Sequence, residues 1–138
     1  MKPSPTLLLR IAAILSLLFA AGHTSGGLSF WSPLGETDVL KAMRSFHFDA
    51  AGSSRSYMDF YLGFGYMISV YQFLQTVVLW QLASIAKTDA FRLRPLIGTF
   101  MLASIASAVL AWEFIFIVPV ICSIVIAVCL ALAFYAAG

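Results

Sequence analysis

Charge is what this sequence has least of. Only 10% of its residues are Asp, Glu, Lys or Arg, against about 25% in ordinary soluble domains. A soluble chain of 138 residues has too little interior for a composition that is 62% hydrophobic. A bilayer is therefore expected to act as part of its solvent. The net charge of +2 is small and dispersed, and without a basic stripe it implies no nucleic-acid partner. Cysteine is scarce too. Cys122 and Cys129 would stand about 10 Å apart on one helix, beyond disulfide reach, so they form no local redox pair and read as small apolar residues. There is no G-x-S-x-G, HExxH, P-loop or Gly-rich dinucleotide turn. Nor is there an internal repeat or a low-complexity segment, which leaves an inverted-repeat transporter unsupported. Each apolar run holds too few polar residues to line a channel.

What the chain does have is long apolar runs. Leu7 to Leu28 is interrupted only by Arg10, and Met58 to Ala86 is longer than a bilayer requires. From Leu96 onward the only charge is Glu113. That stretch is too long for one span of about 20 residues and suits two. With Glu113 and Pro119 marking a turn, and Trp112, Phe114 and Phe116 as an interfacial aromatic belt, the spans fall near 7–28, 57–86, 95–113 and 118–137. The expected fold is all-α: one domain, 1–138, an integral membrane four-helix antiparallel bundle. Lys2 and Arg10 ahead of "FAAGHTS" resemble a signal peptide. The apolar stretch runs on past Ala21, so an uncleaved first span is expected. Lys2, Arg10, Lys87, Arg92 and Arg94 share one side with Asp89 alone. The other side carries Lys41, Arg44 and Arg55 with five acids. Basic residues favour the cytoplasm, so both termini are expected there.

Half of the charged residues lie between Glu36 and Asp59, in an outer loop, 29–56, that is long for a bare connector. Val39, Leu40, Met43 and Phe46 make one helical stripe there. A short amphipathic helix over about 35–47 is predicted, begun by Ser32 and Pro33 and followed by Gly52 in a left-handed conformation. "SYMD", Ser56 to Asp59, fits a capping box that would start the second span. Arg55 needs water or carboxylates, and pairing with Asp49, Asp59 or Glu113 is expected.

Polar positions within the spans define the remaining candidates. Tyr57, Tyr61, Gly65, Ile68, Gln72 and Gln75 fall on one face of the second span, which should therefore face other helices. "GFG" at 63–65 suggests close backbone approach. Ser16, Ala20 and His23, and Ser104 with Ser107, form shorter stripes. His23, His47, Asp49, Arg55, Asp59, Tyr61 and Glu113 make up a candidate outer-face polar cluster. The two histidines lack metal-ligand spacing, so neither metal nor another cofactor is expected.

"GHTSGG", "MRSFHFD", "GSSRSYMDFYLGFG" and "KTDAFRLRP" resemble segments of a family of small, uncharacterised four-helix bacterial membrane proteins. The resemblance covers most of the chain, with Arg55, Asp59 and Gly65 in its core stretch. It implies four spans in a bacterial inner membrane and transfers no catalytic residue. Size and span count are also similar to those of four-helix sterol isomerases and membrane glutathione transferases, whose motifs the chain does not carry. The expected role is non-enzymatic: an accessory or self-associating subunit whose partners are membrane lipid and a homo-oligomer or larger membrane complex. The alternative is a site for a lipid-like ligand or quinone at the outer face, with acid–base chemistry drawn from the polar cluster.

Overall fold

A computed structural model describes residues 3–29, 32 and 34–138. Helix accounts for 79% of the chain, in five α-helices among the described residues. Four of these are long and apolar enough to cross a membrane. They are α1 (Pro5–Ser29), α3 (Tyr57–Ile85), α4 (Arg94–Phe114) and α5 (Ile117–Ala136). Between α1 and α3 come the short helix α2 (Asp38–Ser45) and two strands, β1 (His47–Ala50) and β2 (Ser53–Ser56). The chain divides into two compact units: Met1–Phe19 with Gln72–Gly138, and Ala20–Tyr71.

The first unit is organised by apolar burial. Leu8, Leu9, Ala12 and Ala13 of α1 join Leu79, Leu82 and Ala83 of α3, Ile97 of α4, and Ile126, Leu130 and Ala133 of α5 in one cluster. Small residues let helix backbones come close. At Gly98 an added Cβ would lie 3.5 Å from the Phe134 ring, an ordinary van der Waals contact, so α4 and α5 approach closely there without excluding a methyl group. Pro95 occupies the first turn of α4 and Pro119 the first turn of α5. A missing N–H is harmless at such positions because it would have had no helical partner. The turn predicted around Glu113 and Pro119 is made by Ile115 and Phe116.

The second unit is built by local signals. Thr37 caps α2, its hydroxyl accepting from Leu40 N at 3.3 Å. Asp38 in the first turn and Arg44 in the last both suit the helix dipole. The predicted amphipathic helix is thus present but shorter. Its start is Thr37 rather than Ser32, whose hydroxyl instead donates to Gly35 O at 3.0 Å, and Pro33 lies outside the described residues. Of its stripe, Leu40 is buried while Val39 and Phe46 are exposed.

The hairpin β1–β2 is the departure from an all-helical chain. Its register pairs His47 with Ser56 and Phe48 with Arg55. Ala51 at φ 53° and Gly52 at φ 84° form a two-residue turn whose double positive φ matches the twist of paired strands. Gly52 is left-handed as expected, but within this turn. Asp49 supports it by accepting from Gly52 N at 3.0 Å.

Candidate functional site

The junction of the hairpin with α3 holds most of the expected outer cluster. Ser56 N donates to Asp59 Oδ2 at 2.7 Å, the Ser56 hydroxyl donates to the same oxygen at 3.0 Å, and Asp59 N donates to Ser56 Oγ at 3.2 Å. This is the reciprocal capping box that "SYMD" spells, and it satisfies two helix-end donors together. Aromatic rings tie the hairpin to the helix it starts. Phe46 stacks on Tyr57 with ring centres 5.9 Å apart, Phe48 meets Tyr57 at 5.0 Å and Phe60 at 5.8 Å, and Phe60 continues to Phe64 at 6.3 Å. Each such pair contributes about 0.5–1.5 kcal/mol beyond area burial.

Arg55 does not pair with a carboxylate among the described residues. Its guanidinium donates to Ser54 O at 2.9 Å, and its side chain is exposed. The physical reason is register. Arg55 faces Phe48 across the hairpin, while Asp49 is held by the turn and Asp59 by the cap. His47 Nδ1 lies 3.0 Å from Ser45 O. Tyr61 is exposed. Glu113, near the end of α4, belongs to the other unit and is also exposed. No group of three or more His, Cys, Asp or Glu side chains suited to a metal gathers among the described residues.

A second polar knot joins α1 and α3 within the same unit. His23 Nδ1 lies 3.1 Å from Ser69 Oγ, and Thr24 Oγ1 sits 2.8 Å from both Ser69 Oγ and Ala20 O. Ser69 in turn reaches Gly65 O at 3.4 Å. Sequence reasoning found His23 but missed Thr24 and Ser69. The signal was available: Ser69 stands four residues after Gly65, one position from the Ile68 placed on the stripe.

That offset holds along the whole helix. Its packed face runs through Met58, Leu62, Gly65, Ser69, Gln72, Thr76, Leu79 and Ala83, all buried or half-buried. Tyr57, Tyr61 and Ile68 are exposed, so the predicted stripe was right at Gly65, Gln72 and Gln75 and ran along the edge at the other three positions. In the first unit Gln75 Nε2 donates to the buried Ser16 hydroxyl at 3.0 Å, linking α3 to α1. Gln72 is half-buried, its Oε1 enclosed without a hydrogen-bond partner. Ser104 is buried and donates to Phe100 O in its own helix at 2.9 Å. Ser107, expected beside it, is exposed. Gly63 and Gly65 have no atom within 4 Å of an added Cβ, so the close approach expected at "GFG" is not made by the described residues.

Two shallow depressions lie elsewhere, both in the first unit. One, of about 260 Å³, is wholly apolar and runs between α4 and α5, past Met101, Ile105, Ile124 and Val128. The other, of about 490 Å³, is lined by Phe91, Arg92, Arg94, Pro95 and Phe134. The polar groups of the outer cluster mostly serve caps, turns and helix contacts, an arrangement suited to holding local structure. Comparison with family models, with curated proteins and with solved structures returned no match.

Proposed function

We propose that the chain is a multi-pass integral protein of a bacterial inner membrane, of the small four-helix kind its sequence resembles. In this reading α1, α3, α4 and α5 form an antiparallel bundle with both termini cytoplasmic. Its role is non-enzymatic: a self-associating subunit, alone or within a larger membrane complex. The observation that carries the reading is the bare face of α3. Only 6% of its most apolar window is buried, against 33% for α1 and for α5. Gly63, Met67, Val70 and Leu74, at helical spacing, are all exposed. Glycine costs a helix interior about 1 kcal/mol relative to alanine, and nothing within the described residues uses the space beside Gly63. In lipid, where apolar burial alone does not drive association, it is small residues such as Gly63 that let a second helix pack closely on such a face.

The alternative, a ligand site among the outer polar groups, has less to work with. Asp49, Asp59, His23 and His47 already have partners at 3.1 Å or less. Two measurements test the proposal. With the native cysteines replaced by alanine, Ser45→Cys and Glu113→Cys should label from outside intact cells, and Asp89→Cys only after permeabilisation. Opposite accessibility at 45 and 113 contradicts the four-pass topology. In mild detergent the protein should run as an oligomer or with a stoichiometric partner. A clean monomer in several detergents contradicts the subunit role.

A further inference from the structure

Beyond the bare face of α3, the first unit carries a groove of a different chemistry. It is formed by the turn Phe91–Leu93, the start of α4 and the last turns of α5, and is lined by Phe91, Arg92, Arg94, Pro95 and Phe134. It is a shallow, open depression of about 490 Å³. The two cations in it are held differently. Arg92 is exposed and its Nε lies 3.0 Å from Asp89 Oδ2, a surface pair screened by solvent. Arg94 is half-buried. Its guanidinium lies over Phe134 with 4.3 Å to the ring centre and over Phe91 with 5.8 Å. Stacking fixes the plane of the guanidinium but satisfies none of its N–H groups. Arg94 Nε is enclosed with no hydrogen-bond partner. A buried donor in this state costs free energy; because Nε is enclosed and Gly138 lies against the guanidinium, an acceptor in the groove would meet the terminal nitrogens and not Nε.

We propose that this groove binds an anionic phospholipid, its phosphate accepting from Arg94 and its acyl chain lying along Phe134 and Pro95. Charge complementarity selects the occupant. Lys87, Arg92 and Arg94 surround this corner of the sequence with Asp89 as the only acid, and Asp89 is already engaged. A planar guanidinium matches a phosphate by two parallel N–H donors, and the aromatic walls match a hydrocarbon chain rather than a free ion. Basic pockets beside membrane helices are where acidic headgroups bind. The proposal rests on the membrane reading above and adds a lipid class to it.

The full chain is reconstituted and titrated with phosphatidylglycerol and with phosphatidylcholine of the same acyl chains, and retained lipid is read by native mass spectrometry. The wild type should retain phosphatidylglycerol about fivefold better than phosphatidylcholine. Arg94→Gln should lower phosphatidylglycerol retention about tenfold, and Arg94→Lys should keep part of it through charge alone. Lys41→Gln on α2 should leave retention as in the wild type. Excess inorganic phosphate should not displace the lipid, because it lacks the chain that fills the groove. Equal retention of the two lipids, unchanged retention in Arg94→Gln, or displacement by phosphate overturns the proposal. Should Arg94→Gln fail to fold, the wild-type lipid ratio and the phosphate competition decide it. Failure to enter bilayers would refute the membrane reading; reconstitution without lipid preference refutes this site alone.

Discussion

In the unit formed by Met1–Phe19 and Gln72–Gly138, the buried core includes Leu9, Leu79, Ile97 and Leu130, and the buried polar side chains are Ser16, Ser104 and Ser123. In the Ala20–Tyr71 unit the buried side chains among the described residues are Ala20, Leu40, Ser56 and Met58. That unit relies instead on a capping box, a turn, a ring ladder and the Ser69 knot. Apolar interlocking is cooperative, since removing one side chain leaves a cavity lined by the rest. Hydrogen bonds and caps act locally and fail one at a time. The two units should therefore differ in how mutations are felt, and this can be pushed until it breaks.

The largest effect is expected in the apolar unit. Leu130→Ala should cost about 2–4 kcal/mol, read as a lowered midpoint in thermal melts of the detergent-solubilised protein. A cost below that of the cap mutant would erase the contrast. Next, Ser56→Ala removes the cap of α3 and should cost about 1 kcal/mol, with exchange protection lost first in the opening turns of that helix. A loss spread evenly over both units would mean they do not act separately. Ser69→Ala should cost about 0.6 kcal/mol, the size of interhelical polar contacts in lipid if the proposed membrane setting holds, and should perturb the His23 ring resonances while leaving Leu130 methyl signals in place. The smallest effect belongs to Arg44→Ala. Its pairing with Glu36 at 2.9 Å is half-exposed, so a change under about 0.5 kcal/mol is expected.

The same contrast explains what could be read from the sequence. The four long helices end within a few residues of the predicted spans, because sustained apolarity bounded by charge, Pro95, Pro119 and the Ser56 cap is a strong, one-dimensional signal. The capping box was legible because it is defined by residues three apart. The hairpin was not. Its strands are four residues long, β2 is Ser-Ser-Arg-Ser, and what specifies it is the Ala51–Gly52 turn. An Ala at positive φ gives no warning. The Arg55 pairing failed for the same reason, since strand register, invisible in the sequence, turned Arg55 toward Phe48. On α3 the predicted stripe drifted because aromatic Tyr57 and Tyr61 drew it off the true packed face through Met58, Leu62 and Ser69. The Arg94 groove combines residues from both ends of the 91–134 stretch, and no local pattern joins them.

In the self-associating form of the proposal, the face of α3 opposite that packed stripe is closed by a second copy of the chain. The most direct measurement is disulfide crosslinking in native membranes, with Met67→Cys on that face in a background lacking Cys122 and Cys129. Covalent dimer should form readily at position 67 and should be suppressed when Gly63→Leu is added to block close approach. Monomer alone under oxidation, or dimer yield indifferent to the leucine, would contradict the account.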